Sequence, residues 1–334
     1  MSYLKYPANT FMIGPCYYLP ERVISNEALV AWANFDIKPG RISQMTGIES
    51  RHWVQDHENL SDLGVQATHR LLEAYAYNPD DLEALMLTTI SGEHLTPPTS
   101  PLIQHKLGLA HVGCLDIGAA CAGFVTGLHT AAPMLACGQK DILLISAEIR
   151  SRFLSKDQLA ATALFGDGAS ACILSQNKEK ARFQVIASML LSDGSVADVI
   201  SVPAGGSKMP ASPDTHPNDY FLTMKNGPKI FLAAVKGMRD CIETFLVKLG
   251  MGLDDIDHLV PHQANYFMIR ELCKKLKWPM DRVTLTISHT GNTSGASCGI
   301  ALGHLAASVT AGRYILMVSA GGGGLGAVSL LKSL

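Results

Sequence analysis

Charge is scarce in this chain. Asp, Glu, Lys and Arg make up 17% of its 334 residues, and the formal net charge is −2. A surface so thinly and evenly charged excludes the electrostatic footprint of a nucleic-acid binder. Aromatic residues are also few, at 7%, whereas apolar residues of all kinds reach 47%. Such a composition buries a large core, and we expect it to bury a subunit interface as well. No uninterrupted apolar run is long enough to span a bilayer. The first residues, MSYLKYPANTFMIG, lack the apolar core of a signal peptide. The eight cysteines form no CxxC pair and show no zinc-like spacing, so no metal site is expected. With no export signal they read as reduced thiols of a cytoplasmic protein.

What is present is an alternation of short apolar runs and helix-forming segments. Residues 10–18, 84–90, 141–148, 165–174 and 314–320 read as strands. Helices are expected from Ser25 or Asn26, at 61–77, 100–109 and 226–249. The charged stretch S-Q-N-K-E-K-A-R (175–182) separates two halves, 1–175 and 176–334. The halves echo each other. A-C-A-G-F-V-T-G-L-H-T-A-A and the C-G-Q-K-D-I-L-L-I-S-A after it have a counterpart in residues 294–320. There S-G-A-S-C-G-I-A-L-G-H-L-A-A is followed by A-G-R-Y-I-L-M-V-S-A. Helices of Gly, Ala and Ser with almost no charge are buried on most sides. Two of them at equivalent places imply a duplicated α/β unit with its central helices between sheets. The alternation predicts mostly parallel sheets, with the active site beyond the strand ends where the halves meet.

Three residues are assigned to such ends: Cys121 in D-I-G-A-A-C-A-G-F, His262 in V-P-H-Q-A-N, and Asn292 in H-T-G-N-T-S-G-A-S. Cys121 sits between a strand and a helix, where free N–H groups and the helix dipole favour a thiolate. Taken singly, each has a plainer reading. Cysteine is often just a small buried side chain, histidine a satisfied structural group, and asparagine a helix cap. Gly321, Gly323 and Gly326 spell G-x-G-x-x-G, but too little chain follows for a dinucleotide fold. Glycine there suits close approach of backbone to a reacting carbonyl.

In register, these motifs, with F-G-D-G-A and L-P-E, resemble the β-ketoacyl-acyl carrier protein synthase III family of the thiolase superfamily, over nearly the whole chain. The resemblance implies a five-layered α-β-α-β-α fold, a homodimer, and an acyltransferase that condenses an acyl thioester with malonyl-acyl carrier protein. It implies an acyl-Cys121 intermediate, His262 and Asn292 as enolate donors, and an oxyanion hole from the backbone N–H groups of Cys121 and Gly322. Coenzyme A or the carrier's phosphopantetheine would enter as substrate carrier, with no resident cofactor or metal. Departures from the pattern touch the donor. Arg41 and Met45 replace the Trp and Arg that sandwich adenine, whereas Arg152 matches an arginine near the coenzyme A phosphates. Thr96 takes the place of a bulky aromatic in the loop that limits the acyl pocket across the dimer. Phe231 and Phe267 are further substrate contacts, Phe267 standing where an arginine docks carrier protein; Arg270, Lys274 and Lys275 offer a basic face nearby. An acetyl-coenzyme A starter role is thereby disfavoured, and a specialised pathway becomes an option. Two other readings stay open: acyl transfer from Cys121 to an oxygen or nitrogen acceptor without decarboxylation, and a non-enzymatic relative that keeps only the fold.

Overall fold

Neighbouring side chains of one strand serve different cores. In Asp141–Glu148, Ile142 and Leu144 enter a central cluster, while Leu143 and Ile145 enter an outer one. Tyr314–Gly321 divides likewise: Ile315 and Met317 point inward, Leu316 and Val318 to a third cluster. A period-two strand that is apolar on both faces needs a helical layer on each side. Two such sheet regions sharing one central helical layer make five layers, the thiolase-like arrangement.

The computed structural model describes residues 2–334. Its first half runs β1 (Ser2–Lys5), β2 (Phe11–Tyr18), β3 (Arg22–Ser25), α1 (Asn26–Ala33), α2 (Gly40–Thr46), β4 (Ser50–Trp53), α3 (Leu60–Ala74), β5 (Leu82–Thr88), α4 (Ser100–Lys106), β6 (Gly113–Ile117), α5 (Gly123–Ala136), β7 (Asp141–Glu148), α6 (Leu159–Thr162) and β8 (Gly168–Ser175). The second runs β9 (Phe183–Ser192), β10 (Ile200–Ser201), β11 (Thr223–Met224), α7 (Gly227–Leu249), β12 (His258–Pro261), α8 (Tyr266–Leu276), α9 (Ile287–Thr290), α10 (Ser297–Ala306), β13 (Tyr314–Gly321) and β14 (Leu325–Ser333). The main sheet has the order β12-β13-β14-β9-β2-β8-β7-β5-β6, with β1 beside β9. Its halves join where Phe11 and Met12 meet Gln184 and Phe183. α3 and α4 cover one outer face, α7 and α8 the other, and α5 and α10 fill the middle.

The sheet is mixed, which corrects the expectation of mostly parallel strands. Only β5–β6, β5–β7 and β12–β13 are parallel. β8 and β14 each return antiparallel to the strand before them. At β14 a tight turn explains this: Gly323 and Gly324 have positive φ and reverse the chain too tightly for a crossover helix, whereas β8 returns through the longer connection 149–167 that carries α6.

α5 and α10 are each preceded by a turn, Ala120–Ala122 and Ser294–Ala296. Both turns begin on a non-glycine residue with positive φ, 45° at Ala120 and 49° at Ser294. Each such residue costs of order 1–2 kcal/mol, so the surrounding layers must hold it. The turns touch. A side chain on Gly123 would lie 3.2 Å from the Gly295 Cα, and one on Gly295 would lie 2.8 Å from the Ala120 carbonyl oxygen. This contact brings the Cys121 turn against the segment that carries Asn292. Among the described residues no helix is long and apolar enough to cross a membrane.

Candidate active site

Cys121 lies in the Ala120–Ala122 turn, and His262 follows β12 directly. Asn292, by contrast, is not at a strand end. It follows α9 and Gly291 and makes an isolated bridge with Phe165, which corrects the sequence assignment. All three line one cavity of about 550 Å³, together with Phe231, Gly321 and Gly322. The three side chains, far apart in the chain, therefore line a common cavity.

Each polar group is held by a neighbour. The His262 Nδ1 lies 2.6 Å from the Ser297 hydroxyl. Burial pulls the His262 pKa down to about 4, so the ring is neutral at physiological pH. The Asn292 Oδ1 accepts the Ser294 N–H at 2.9 Å, and its backbone is tied to Leu164 and Gly166. With the carbonyl oxygen so occupied, the amide nitrogen is the end left to face the cavity. The Gln263 side chain donates to Pro261 and Thr284 carbonyls and accepts from the Thr286 and Ile287 N–H groups. It thereby fixes the His262 segment to the one leading to Asn292.

The electrostatics of Cys121 correct the thiolate expectation. Burial pushes its thiol pKa above the ordinary value, and the Glu148 charge adds to the rise. A hydrogen bond from Ser294, the Arg150 charge and the Gly322 N–H oppose it. The Ser294 hydroxyl is 3.7 Å from Sγ. Desolvation outweighs the helix N-terminus here because the turn is enclosed by a second copy of itself. Glu148 is buried too, with its pKa raised by burial to about 7 and held there against the Arg150 charge. It accepts from the Ser91 hydroxyl at 2.5 Å. Ser297, Ser294, Gln263, Glu148 and Arg150 had no role in the sequence reading. The clue for Glu148 was an acid that closes a strand whose residues 142–145 are all apolar; Ser297 closed a motif already singled out.

Residues 115–194 match the family described as 3-Oxoacyl-[acyl-carrier-protein (ACP)] synthase III, and residues 246–332 match its C-terminal part. The beta-ketoacyl-[acyl-carrier-protein] synthase III of Chlamydia caviae is 34% identical over 309 residues, 92% of this chain and 91% of the relative. The chain belongs to the 3-oxoacyl-[acyl-carrier-protein] synthase III family. It is similar to the 3-oxopimeloyl-[acyl-carrier-protein] synthase of Rhodothermus marinus, 34% identical over 89% of this chain and 86% of the relative. Among solved structures, the 3-oxoacyl-(acyl carrier protein) synthase III of Pseudomonas aeruginosa superposes with a TM-score of 0.86 at 30% identity, covering 97% of this chain and 98% of that one.

The family's peripheral positions are placed less simply than its central ones. Phe231, on α7, lines the cavity. Arg41 is exposed and lies outside the cavity lining, whereas Met45, one helical turn on, lies within it. The Arg152 guanidinium is engaged by the carbonyls of Asp56 and Glu58 and by the Asn59 side chain, in a separate cleft. Thr96 is exposed, and the residue that projects furthest from its loop is Leu95, 90% exposed. Phe267 is half-buried on α8, packed edge-on against Tyr266 and beneath Arg270. Arg270, Lys274 and Lys275 are exposed on the same helix, with Lys275 3.6 Å from Glu271.

Proposed function

We propose that this enzyme condenses an acyl thioester with malonyl-acyl carrier protein, releasing carbon dioxide and leaving a β-ketoacyl thioester on the carrier. The Cys121 sulfur attacks the donor carbonyl, and its proton leaves on the donor thiol. The malonyl group then loses carbon dioxide, and the electron pair moves onto the thioester oxygen as an enolate. His262 Nε2–H and the Asn292 amide donate to that oxygen. The enolate carbon attacks the acyl-Cys121 carbonyl. The resulting oxyanion sits between the Cys121 and Gly322 N–H groups, where one donor is worth about 3 kcal/mol. Collapse expels the thiolate, which takes up a proton. No step calls on a metal or redox cofactor. The observation that carries the reading is that His262, held neutral by burial, and Asn292 line the same cavity as Cys121. Acyl transfer to an oxygen or nitrogen acceptor leaves that pair of donors without a task.

The same reading takes residues 1–175 as the half that supplies the nucleophile and 176–334 as the half that supplies the donors. It takes the enzyme as a cytoplasmic homodimer whose partner's Leu95–Thr96 loop closes the acyl pocket. Carrier protein would dock on Arg270, Lys274 and Lys275, with Phe267 beside the entrance. Arg41 and Arg152 would meet a coenzyme A donor only if Arg152 leaves its present partners.

Intact-protein mass spectrometry with radiolabelled malonyl-carrier tests the chemistry. Cys121→Ala is expected to abolish acyl labelling. His262→Ala is expected to keep labelling and lose carbon dioxide release by a hundredfold or so. Unchanged release from His262→Ala would overturn the assignment.

A further inference from the structure

We propose that Gly237 is a specificity-determining position: lacking a side chain, it leaves open a branch of the cavity along α7, and the hydrocarbon tail of the acyl group on Cys121 lies in that branch. The inference rests on the condensing reading above and adds a substrate class to it, a medium-length acyl chain with an apolar end.

The branch is continuous with the site. The cavity lined by Cys121, His262 and Asn292 runs on between α7 and the β13–β14 hairpin, where Ala233, Ala234, Gly237 and Cys241 face Ala320 and Gly326. The route from the nucleophile is short. A side chain on Gly321 would lie 3.1 Å from the Cys121 nitrogen, and Ala320 is the adjoining residue. A side chain on Gly237 would meet the Cβ of that same Ala320. Further along, a side chain on Gly326 would lie 2.7 Å from the Cys241 Sγ, so the two walls close there.

Neither backbone nor packing calls for glycine at 237. The residue lies inside the 23-residue helix α7 without positive φ. In a helix interior glycine is the least favourable residue after proline. The first atom that a methyl on Gly237 would meet outside its own helix is the Ala320 Cβ, 3.9 Å away, which is an ordinary contact. Gly127 on α5 is different, because a methyl there would lie 2.5 Å from the Leu144 side chain. Gly127 is demanded by close packing, whereas Gly237 borders open cavity. What the missing side chain preserves is room.

The walls select hydrocarbon. Ala233, Ala234, Ala320 and Leu325 line the branch and offer no side-chain donor or acceptor. The amides of a pantetheine arm would be buried unpaired against them. That arm suits the opposite side of the cavity, where Thr46 and Asn265 line it beside the exposed Met45. α7 rises 1.5 Å per residue, so its wall from Phe231 to Cys241 is about 15 Å long, the reach of an extended acyl chain of roughly ten carbons. Lys236, paired with Asp240, borders the outer end. Its stem can cover the chain's last carbons while the ammonium stays in water.

The test compares Cys121 acylation by acetyl and decanoyl thioesters. Each is offered on coenzyme A and on acyl carrier protein, and rates are read by intact-protein mass spectrometry. The wild-type enzyme is expected to favour decanoyl by tenfold or more. Gly237→Leu puts a better helix former in place and fills the branch. It is expected to keep the acetyl rate within about twofold and to lower the decanoyl rate tenfold or more. Gly237→Ala, which the 3.9 Å spacing admits, is expected to lower the decanoyl-to-acetyl ratio severalfold, and it carries the test should leucine disturb the helix. A wild-type ratio of one or less, or a ratio unchanged in the variants, overturns the assignment while leaving the condensing reading intact. Failure of both donors to label Cys121 overturns both.

Discussion

The Ser297 hydroxyl lies 2.6 Å from Nδ1 of His262, and both side chains are buried. The Gln263 N–H points at the same hydroxyl oxygen from 3.4 Å. An oxygen that accepts from Gln263 has its proton free for Nδ1, and an Nδ1 that accepts keeps the ring proton on Nε2. When the Ser297 hydroxyl donates to Nδ1, His262 is held in the tautomer that can donate to an enolate. Ser297→Ala is expected to leave Cys121 acylation near wild type. Decarboxylation by the pre-acylated enzyme should fall about tenfold to a hundredfold, the worth of roughly 1–3 kcal/mol in one hydrogen bond. Carbon dioxide release at the wild-type rate would show that the tautomer is fixed by something else.

His262 itself is expected to stay neutral well below the range in which histidine usually titrates. Burial holds its folded pKa near 4, against about 6.5 in an unfolded chain. The unfolded state therefore binds the proton first. Stability from this group is complete above pH 6.5 and is lost as pH falls toward 4, by about 3 kcal/mol in all. Nitrogen-15 chemical shifts of the imidazole should be flat from pH 7 to pH 5. Glu148, with its pKa raised to about 7, stabilises the fold in the opposite sense over this interval, so the urea midpoint of the wild type should fall relative to that of His262→Ala. A titration of His262 centred near pH 6.5 would contradict the desolvation account.

How far the sequence revealed the site depended on the scale of the interaction. Cys121, His262 and Asn292 were legible because each stands in a motif whose local chemistry restricts it, and the repeated Gly/Ala/Ser helices gave the duplication that joins them. The strand Asp141–Glu148 was legible from its apolar run. Pairing direction was not: β14 reverses on glycines and β8 returns through the connection that carries α6, and alternation of elements alone does not distinguish a return from a crossover. Arg41 could be matched to a family position but not to a face, because α2 is short and its cavity side is set by where Gly47 packs on Tyr266. The rise in the Cys121 pKa was out of reach because it comes from burial in the folded layers and from the charge of Glu148, both set by residues remote in the chain.

Gly295→Ala should damage both the fold and the nucleophile. The added methyl would lie 2.8 Å from the Ala120 carbonyl oxygen and 3.2 Å from the Glu148 carboxylate. The nearer atom is backbone of the Cys121 turn, already at positive φ, and it yields only by moving the sulfur. Overpacking of this kind costs typically about 1–3 kcal/mol. A lower urea midpoint and a severalfold slower acylation are expected together. A variant with wild-type stability and acylation would mean that the two turns slide past each other freely.

Glu148→Gln should make Cys121 more reactive toward a neutral alkylating agent. The carboxylate is one of the forces raising the thiol pKa; the other, burial, is unchanged by an isosteric amide. An amide oxygen in the Oε2 place can still accept from the Ser91 hydroxyl at 2.5 Å and from the Ile90 N–H at 3.5 Å, while the amide nitrogen gives up the 3.3 Å bond that Ile90 makes to Oε1. Removing one negative charge leaves burial as the remaining force that raises the pKa, against Arg150, the Ser294 hydroxyl and the Gly322 N–H, which all favour the thiolate. The midpoint of the iodoacetamide rate against pH should therefore move down, and the rate at neutral pH should rise severalfold. The wild-type profile should also carry a shoulder near pH 7, where Glu148 itself ionises, and this shoulder should vanish in the variant. A midpoint that stays put, or moves up, would mean that Glu148 is already neutral beside the thiol and that burial alone sets its pKa.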